Sequence, residues 1–411
     1  MDKQFLSKLI DGIIEFFIYV AVIGITFSNA ATEVGTYVSI FFFFIKKIIF
    51  KDFTFPRNKI NKLIILFLIV NIISTLHNFY LYQGLYLQNS LKGIFRIIKY
   101  FLFLGVVTYV SSKQKSFHRI IFVFGLASVV ICLDALFQNI TGADLFRHNT
   151  LTPHDDLRRL SAGFAHPNDF GSYLITAIPI YIGLIYYFKK IWQKLFISAP
   201  LILLLFCLYR TASRGAWLGF IIAMLIFILF KRDKILIIIT ILFLISAPFF
   251  LPKTALERLK QGFNISDGTT WERKQIWTGA INIFKVHPLI GFGPNTFSDN
   301  FPKYKPKYYP DLRYAHNSYL QMLAEIGIIG LAIFLFILFT VIKTGFKYFR
   351  QLRNSKPLEA GIVLGITSGL IAFLIHSGLD TNLYSLVLAT LFWTMTGLIF
   401  AFKDAYIKEK I

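Results

Sequence analysis

The residues with the greatest chemical capacity stand together in Arg313-Tyr314-Ala315-His316-Asn317-Ser318-Tyr319-Leu320, where a polar segment runs into an apolar stretch from Gln321 to Thr340. An imidazole takes a proton from a hydroxyl near neutral pH. A guanidinium offers a planar fork of donors that bridges two phosphate oxygens and stays charged in partly dry surroundings. Such groups are costly beside hydrocarbon, so a cluster of them at the rim of a membrane marks a functional site. The plainer reading of His316 is a capping or interfacial histidine.

Other segments carry the same residue types. Arg210-Thr211-Ala212-Ser213-Arg214-Gly215 is a short turn between two apolar runs and opens a helix, whose free N–H groups favour an anion. Its arginines either bind such an anion or snorkel to headgroups. Arg273 and Lys274 lie on a helix-like stretch between Trp271 and Trp277, which suits a phosphate or sugar site and equally suits contact with the bilayer surface. Arg158, Arg159, His166 and Asn168 precede another span, with Asp155 and Asp156 placed to neutralise the arginine pair. Glu325 follows His316 about half a helical turn out of phase, so it is expected to pair with a group on another helix and not to join His316 in chemistry. Asp380 and His376 read as rim residues.

The elements that position these groups are membrane helices. The chain has 411 residues, 56% of them hydrophobic, and a mean hydropathy of +0.62. Apolar runs of about 18 residues or more recur, each long enough to span hydrocarbon. The expected fold is all-α, a polytopic bundle in a single integral-membrane domain, 1–411. Its spans number about twelve, near 9–28, 34–50, 62–79, 94–111, 118–138, 169–187, 195–210, 214–230, 235–251, 316–342, 359–378 and 384–402.

A net charge of +22 in a soluble protein would suggest nucleic acid, but here the basic residues sit in tracts between apolar runs, and topology explains them. Those tracts are Lys46 to Lys62, Lys113 to Arg119, Lys189 to Lys194, Lys231 to Lys234, Lys343 to Lys356 and Lys403 to Lys410. The positive-inside rule then puts both termini in the cytoplasm and leaves two long outer segments, 139–168 and 252–315, the second between spans nine and ten. Arg159, Arg210, Arg214, Arg273 and Arg313 fall on that outer side, against the rule's tendency. Ser28-Asn29-Ala30 has the small residues of a cleavage site, but the run before it carries Asp11 and Glu15 and is read as a retained first span. Cys132 and Cys207 lie inside apolar runs and read as small core residues, and no spacing suggests a metal.

Four segments together resemble the O-antigen ligase/polymerase superfamily of bacterial membrane glycosyltransferases. They are Gly163-Phe164-Ala165-His166-Pro167-Asn168, then Thr211-Ala212-Ser213-Arg214-Gly215, then Trp277 through His287-Pro288-Leu289-Ile290-Gly291-Phe292-Gly293, and last His316-Asn317-Ser318-Tyr319-Leu320 with Glu325-Ile326-Gly327-Ile328-Ile329-Gly330-Leu331. The resemblance covers roughly 160–400; the first five spans match only as generic membrane helices.

The resemblance implies a GT-C-like fold in the bacterial inner membrane with a periplasmic site. Undecaprenyl pyrophosphate would carry the glycan donor. The acceptor would be a lipid A–core sugar hydroxyl in a ligase, or a second lipid-linked glycan in a polymerase. No metal or other cofactor is implied. The resemblance gives His316 the role of base and gives Arg214 and Arg273 the pyrophosphate. Arg210, Ser213, Arg159, His166, Asn168, Arg313, Asn317 and Lys274 would surround the substrates, with Glu325 and Gly215 structural or coupling. A protein O-glycosylating relative is a further reading. So is a secondary transporter, against which stands the placing of the ionisable groups at one membrane face and not at mid-bilayer between broken helices.

Overall fold

The computed structural model describes residues 2–56, 58–154, 157–188, 190–231, 268–307 and 309–407. They form a helical bundle: α1 (Lys3–Phe27), α2 (Asn29–Ile49), α3 (Asn61–Leu81), α4 (Leu87–Ser111), α5 (Gln114–Thr141), α6 (Pro167–Tyr187), α7 (Ile191–Arg210), α8 (Arg214–Lys231), α9 (Gly268–Val286), α10 (Phe297–Tyr304), α11 (Ser318–Leu352), α12 (Pro357–Ser377) and α13 (Leu386–Phe402). Between α5 and α6 a short antiparallel ladder pairs β1 (Thr152–His154) with β2 (Leu157–Arg159).

Among the described residues nine helices are long and apolar enough to cross a membrane, namely α1, α3, α4, α5, α6, α7, α11, α12 and α13. The chain is an integral membrane protein. At the spans expected near 34–50 and 214–230 stand α2 and α8; the apolar part of α8, Arg214–Phe230, is shorter than the nine. The span expected at 235–251, and the outer segment as far as 267, lie outside the described residues.

The helix starts follow local chemistry. Ser28 caps α2 by accepting from the Ala31 N–H at 3.2 Å, the role its side chain takes beside the two small residues that follow. Pro167 opens α6, where its missing N–H costs nothing.

The centre is α12 and α13. Every residue of α13 from Val387 to Phe402 is buried, as expected of a helix that is apolar all round. Along α12, Gly361, Gly365 and Gly369 recur every fourth residue and face α6. A Cβ on Gly369 would stand 2.5 Å from the Thr176 carbonyl oxygen, and one on Gly365 2.6 Å from the Ile180 Cα. Such a small-residue stripe lets two membrane helices touch backbone to backbone.

One end of the bundle carries an ion-pair network: Lys46 and Lys113 with Asp11 at 2.5 and 2.7 Å, and Arg119 bidentate on Glu15 at 2.8 Å. The ends of α1, α5, α7 and α12 and the starts of α6, α8, α11 and α13 meet at the other end, which holds the site.

Candidate active site

Asp380 is the hub, in the turn between α12 and α13. Its carbonyl oxygen accepts from both the N–H and the Oγ of Ser318, at 3.2 and 3.1 Å, which ties the turn to the first residue of α11. Its Oδ1 takes the Thr381 N–H at 2.8 Å and lies 3.2 Å from Nδ1 of His316, while Oδ2 accepts from Asn168 Nδ2 at 2.9 Å. Burial alone would raise this carboxyl's pKa. His316, with His376 and the Thr381 N–H, outweighs burial and holds it well below the usual carboxylate range.

An ionised Asp380 keeps the His316 proton on Nδ1 in the neutral ring and leaves Nε2 as the lone-pair nitrogen. The His316 side chain is 48% exposed, against 12% for Asp380, so the imidazole stands where a substrate can reach it. Its backbone φ is +46°, a left-handed conformation uncommon outside glycine.

Asn168 passes the connection onward. Its Oδ1 accepts from Arg159 Nη2 at 2.9 Å, and Arg159 Nε donates to the Thr211 carbonyl at 2.7 Å. Three separate segments of sequence thus close on one another: the end of the ladder, the start of α6 and the turn before α8. Leu160 N–H reinforces them by donating to the Arg210 carbonyl at 3.1 Å. Arg210 reaches back to the Arg158 carbonyl at 3.4 Å.

Beneath this layer His376 is buried. Its Nδ1 lies 2.6 Å from Ser172 Oγ and its Nε2 3.5 Å from Ser213 Oγ. It is a strut between α6, α8 and α12, not a rim residue. Gly215 makes room for it: a Cβ there would lie 2.4 Å from the ring's Cδ2.

The cations come from α8 and α9. Arg214 is the first residue of α8 and is half-buried. Arg273 is half-buried too; burial lowers its pKa, Asp380 raises it and Arg214 lowers it, so the three charged groups sense one another across the site. Arg273 remains charged regardless, as guanidinium does in proteins. What holds α9 in place is a second small core, in which Ile276, Ala280 and Ile283 pack with Phe292, Phe297, Phe301 and Ala324.

α11 is not one straight helix. At Gly327 the backbone takes φ 64° and ψ −172°, and the helix breaks. The loop before α10 seats in the break. Ile328 and Ile329 donate their N–H groups to the Pro288 and Leu289 carbonyls at 2.9 and 3.2 Å, and Gly293 donates to the Glu325 carbonyl at 2.7 Å. Broken backbone inside a membrane is tolerated only when its polar groups are satisfied in this way. The buried Glu325 carboxylate completes the joint, accepting from the N–H groups of Asn295 and Phe297 at 2.9 and 3.3 Å, from Gln321 Nε2 at 3.2 Å and from the Tyr384 hydroxyl at 3.1 Å. The joint is filled by the chain's own loop.

Other expected site residues stand apart from this arrangement. Arg313, Lys274 and His166 are exposed, and among the described residues their side chains make no hydrogen bond. Asn317 spends its Oδ1 on the Tyr319 and Leu320 N–H groups, both at 3.0 Å, as the cap of α11. Conversely, Asp380, His376 and Ser172 carry much of the geometry without having been assigned a role. A signal was available: His376 and Asp380 stand four apart where an apolar helix ends, on the side already expected to hold His316.

Parts of this chain are similar to known proteins. Proteins provisionally named as polysaccharide ligases are similar over part of their length. One from Rickettsia prowazekii is 29% identical over 168 residues, 38% of this chain and 40% of that protein. One from Rickettsia felis is 28% identical over 169 residues, 38% and 39% of the two chains. One from Rickettsia bellii is 29% identical over 187 residues, 43% of each. The chain spans about two fifths of the length of the relatives it matches. Residues 199–335, a third of the chain, run from α7 past the break in α11, include Arg214, Arg273 and His316, and match the family described as O-Antigen ligase.

Proposed function

We propose that this protein transfers a glycan from undecaprenyl pyrophosphate to a sugar hydroxyl of lipid A–core, at the periplasmic face of a bacterial inner membrane, without a metal. The observation that carries the reading is the His316–Asp380 pair, with its ring half-exposed, set at the same end of the bundle as Arg214 and Arg273.

In the proposed reaction the acceptor hydroxyl oxygen attacks the anomeric carbon of the donor. The bond from that carbon to the pyrophosphate oxygen breaks, and its electron pair leaves with the phosphate. His316 Nε2 takes the hydroxyl proton, and Asp380 stabilises the imidazolium that forms. Arg214 and Arg273 balance the charge that grows on the leaving group, which is where fixed cations lower a barrier most. Direct displacement inverts the anomeric centre. Arg159 and Asn168 act through Asp380 and the turn before α8, as positioning residues.

The test is transfer in vitro with purified lipid-linked donor and defined acceptors, run with and without a chelator. Wild-type protein should transfer in both, and His316→Ala and Arg214→Ala should not, while both variants still insert in the membrane. Wild-type rates from both variants would sink the proposal. A second lipid-linked glycan as acceptor would make the same chemistry a polymerisation. Lipopolysaccharide from a deletion strain separates the two: loss of a ligase leaves free lipid-linked chains, and loss of a polymerase leaves single repeat units attached.

A further inference from the structure

We propose that a cavity around Arg96, enclosed by α3, α4, α11 and α13, is a docking site for the anionic headgroup of a membrane lipid. Arg96 is the tenth residue of α4, about 14 Å along the helix from its start at the site end. It opens into a cavity of about 80 Å³ walled by Phe101, Phe334 and Trp393, with Asn71, Asn295, Glu325 and Tyr384 as its polar edges. The loop that seats in the α11 break forms another wall through Pro294. That loop reaches α4 because residue 93 is glycine: a Cβ there would stand 2.8 Å from the Pro294 carbonyl oxygen.

Two observations point to a charged guest. Among the described residues Arg96 makes no hydrogen bond or ion pair, though a lone guanidinium inside a membrane bundle is costly. The nearby carboxylates already have partners of their own. Glu33 is bound to Lys99 at 2.5 Å, and Glu325, in the cavity wall, accepts four hydrogen bonds from other groups.

Independently, Asn71 lines the same cavity and its Oδ1 is buried with no hydrogen-bond partner, as are Ser74 Oγ and Asn78 Oδ1 farther along the same face of α3. Buried acceptors of this kind find partners in nearly all proteins. An anionic headgroup bearing hydroxyls supplies both needs, oxygen acceptors for the guanidinium fork and an O–H donor beside Asn71. The half-buried state of Arg96 gives the cavity a mouth, and the aromatic wall suits the start of an acyl or prenyl chain. The site is separate from the transfer chemistry, so its occupancy is measurable whether or not the chain transfers glycans.

Trp393 in the cavity wall is the reporter. Protein would be placed in phosphatidylcholine nanodiscs carrying brominated phosphatidylglycerol or, at equal mole fraction, brominated phosphatidylcholine. Quenching at Trp393 is read as the difference between the wild type and Trp393→Phe. The expected result is about a fivefold preference for the anionic lipid, lost in Arg96→Gln. Unlabelled phosphatidylglycerol should relieve the wild-type quenching saturably, a measurement that needs no Arg96 variant. Equal quenching by both lipids, a preference that survives Arg96→Gln, or relief by millimolar inorganic phosphate alone would overturn the proposal.

Discussion

His316 holds a backbone conformation that its side chain does not favour. Replacing it separates strain from chemistry. His316→Gly relieves the left-handed φ and His316→Ala does not, so thermal unfolding should show the glycine variant more stable than the alanine variant by about 1 kcal/mol. Both should lose transfer by roughly 10²- to 10⁴-fold, the usual size of a general-base effect. Arg214→Lys tests the fork: a point charge cannot bridge two phosphate oxygens, and the rate should fall by about 10²-fold or more with the fold intact. Asp380 carries a pH signature. A carboxylate held below its ordinary range contributes stability in full above about pH 4, and loses it only as pH falls towards its own depressed value. The melting-temperature gap between wild type and Asp380→Asn should therefore persist from pH 8 to pH 5 and close only in stronger acid. His316 and Arg214 were legible in the sequence because their types are conspicuous at a membrane rim. Asp380 was not, because its partners His316 and Asn168 lie 64 and 212 residues away and only folding brings them to it.

At the level of elements, helix existence was the legible part and helix continuity was not. Apolar run length locates α1, α3 to α7 and α11 to α13, since spanning hydrocarbon imposes that length whatever the packing. The helix-like stretch between Trp271 and Trp277 forms as part of α9. The eight-residue α10, interrupted by Pro302, and the ladder of three-residue strands carry no comparable signal. The break in α11 was hidden because Gly327 sits in an otherwise regular apolar run, and only the loop that enters there reveals it. Gly327→Ala should be costly, with a Cβ 2.4 Å from the Leu289 carbonyl and a positive φ besides. A loss of about 1–3 kcal/mol is expected, seen as a lower unfolding temperature in detergent. Glu325→Ala should destabilise more than Glu325→Gln, because the amide still accepts a backbone N–H and alanine leaves both buried donors unmet.

For the molecule as a whole, the charge pattern between spans predicts which end faces which compartment. Single cysteines at Lys274 and Asn317 should react with an impermeant maleimide added outside spheroplasts, and one at Arg353 only after lysis. The reverse pattern would place the site in the cytosol and remove the proposed lipid-linked donor from reach. The native Cys132 and Cys207 are buried with free thiols, so they should stay silent in that assay. The joint at Gly327 also bears on how this architecture can be re-engineered. Segment 288–293 and the middle of α11 supply each other's backbone partners, so they behave as one heritable unit despite the chain between them. A chimaera that imports a relative's counterpart of 288–293 must import its counterpart of α11 with it, and recombination that parts the two should yield protein the cell degrades.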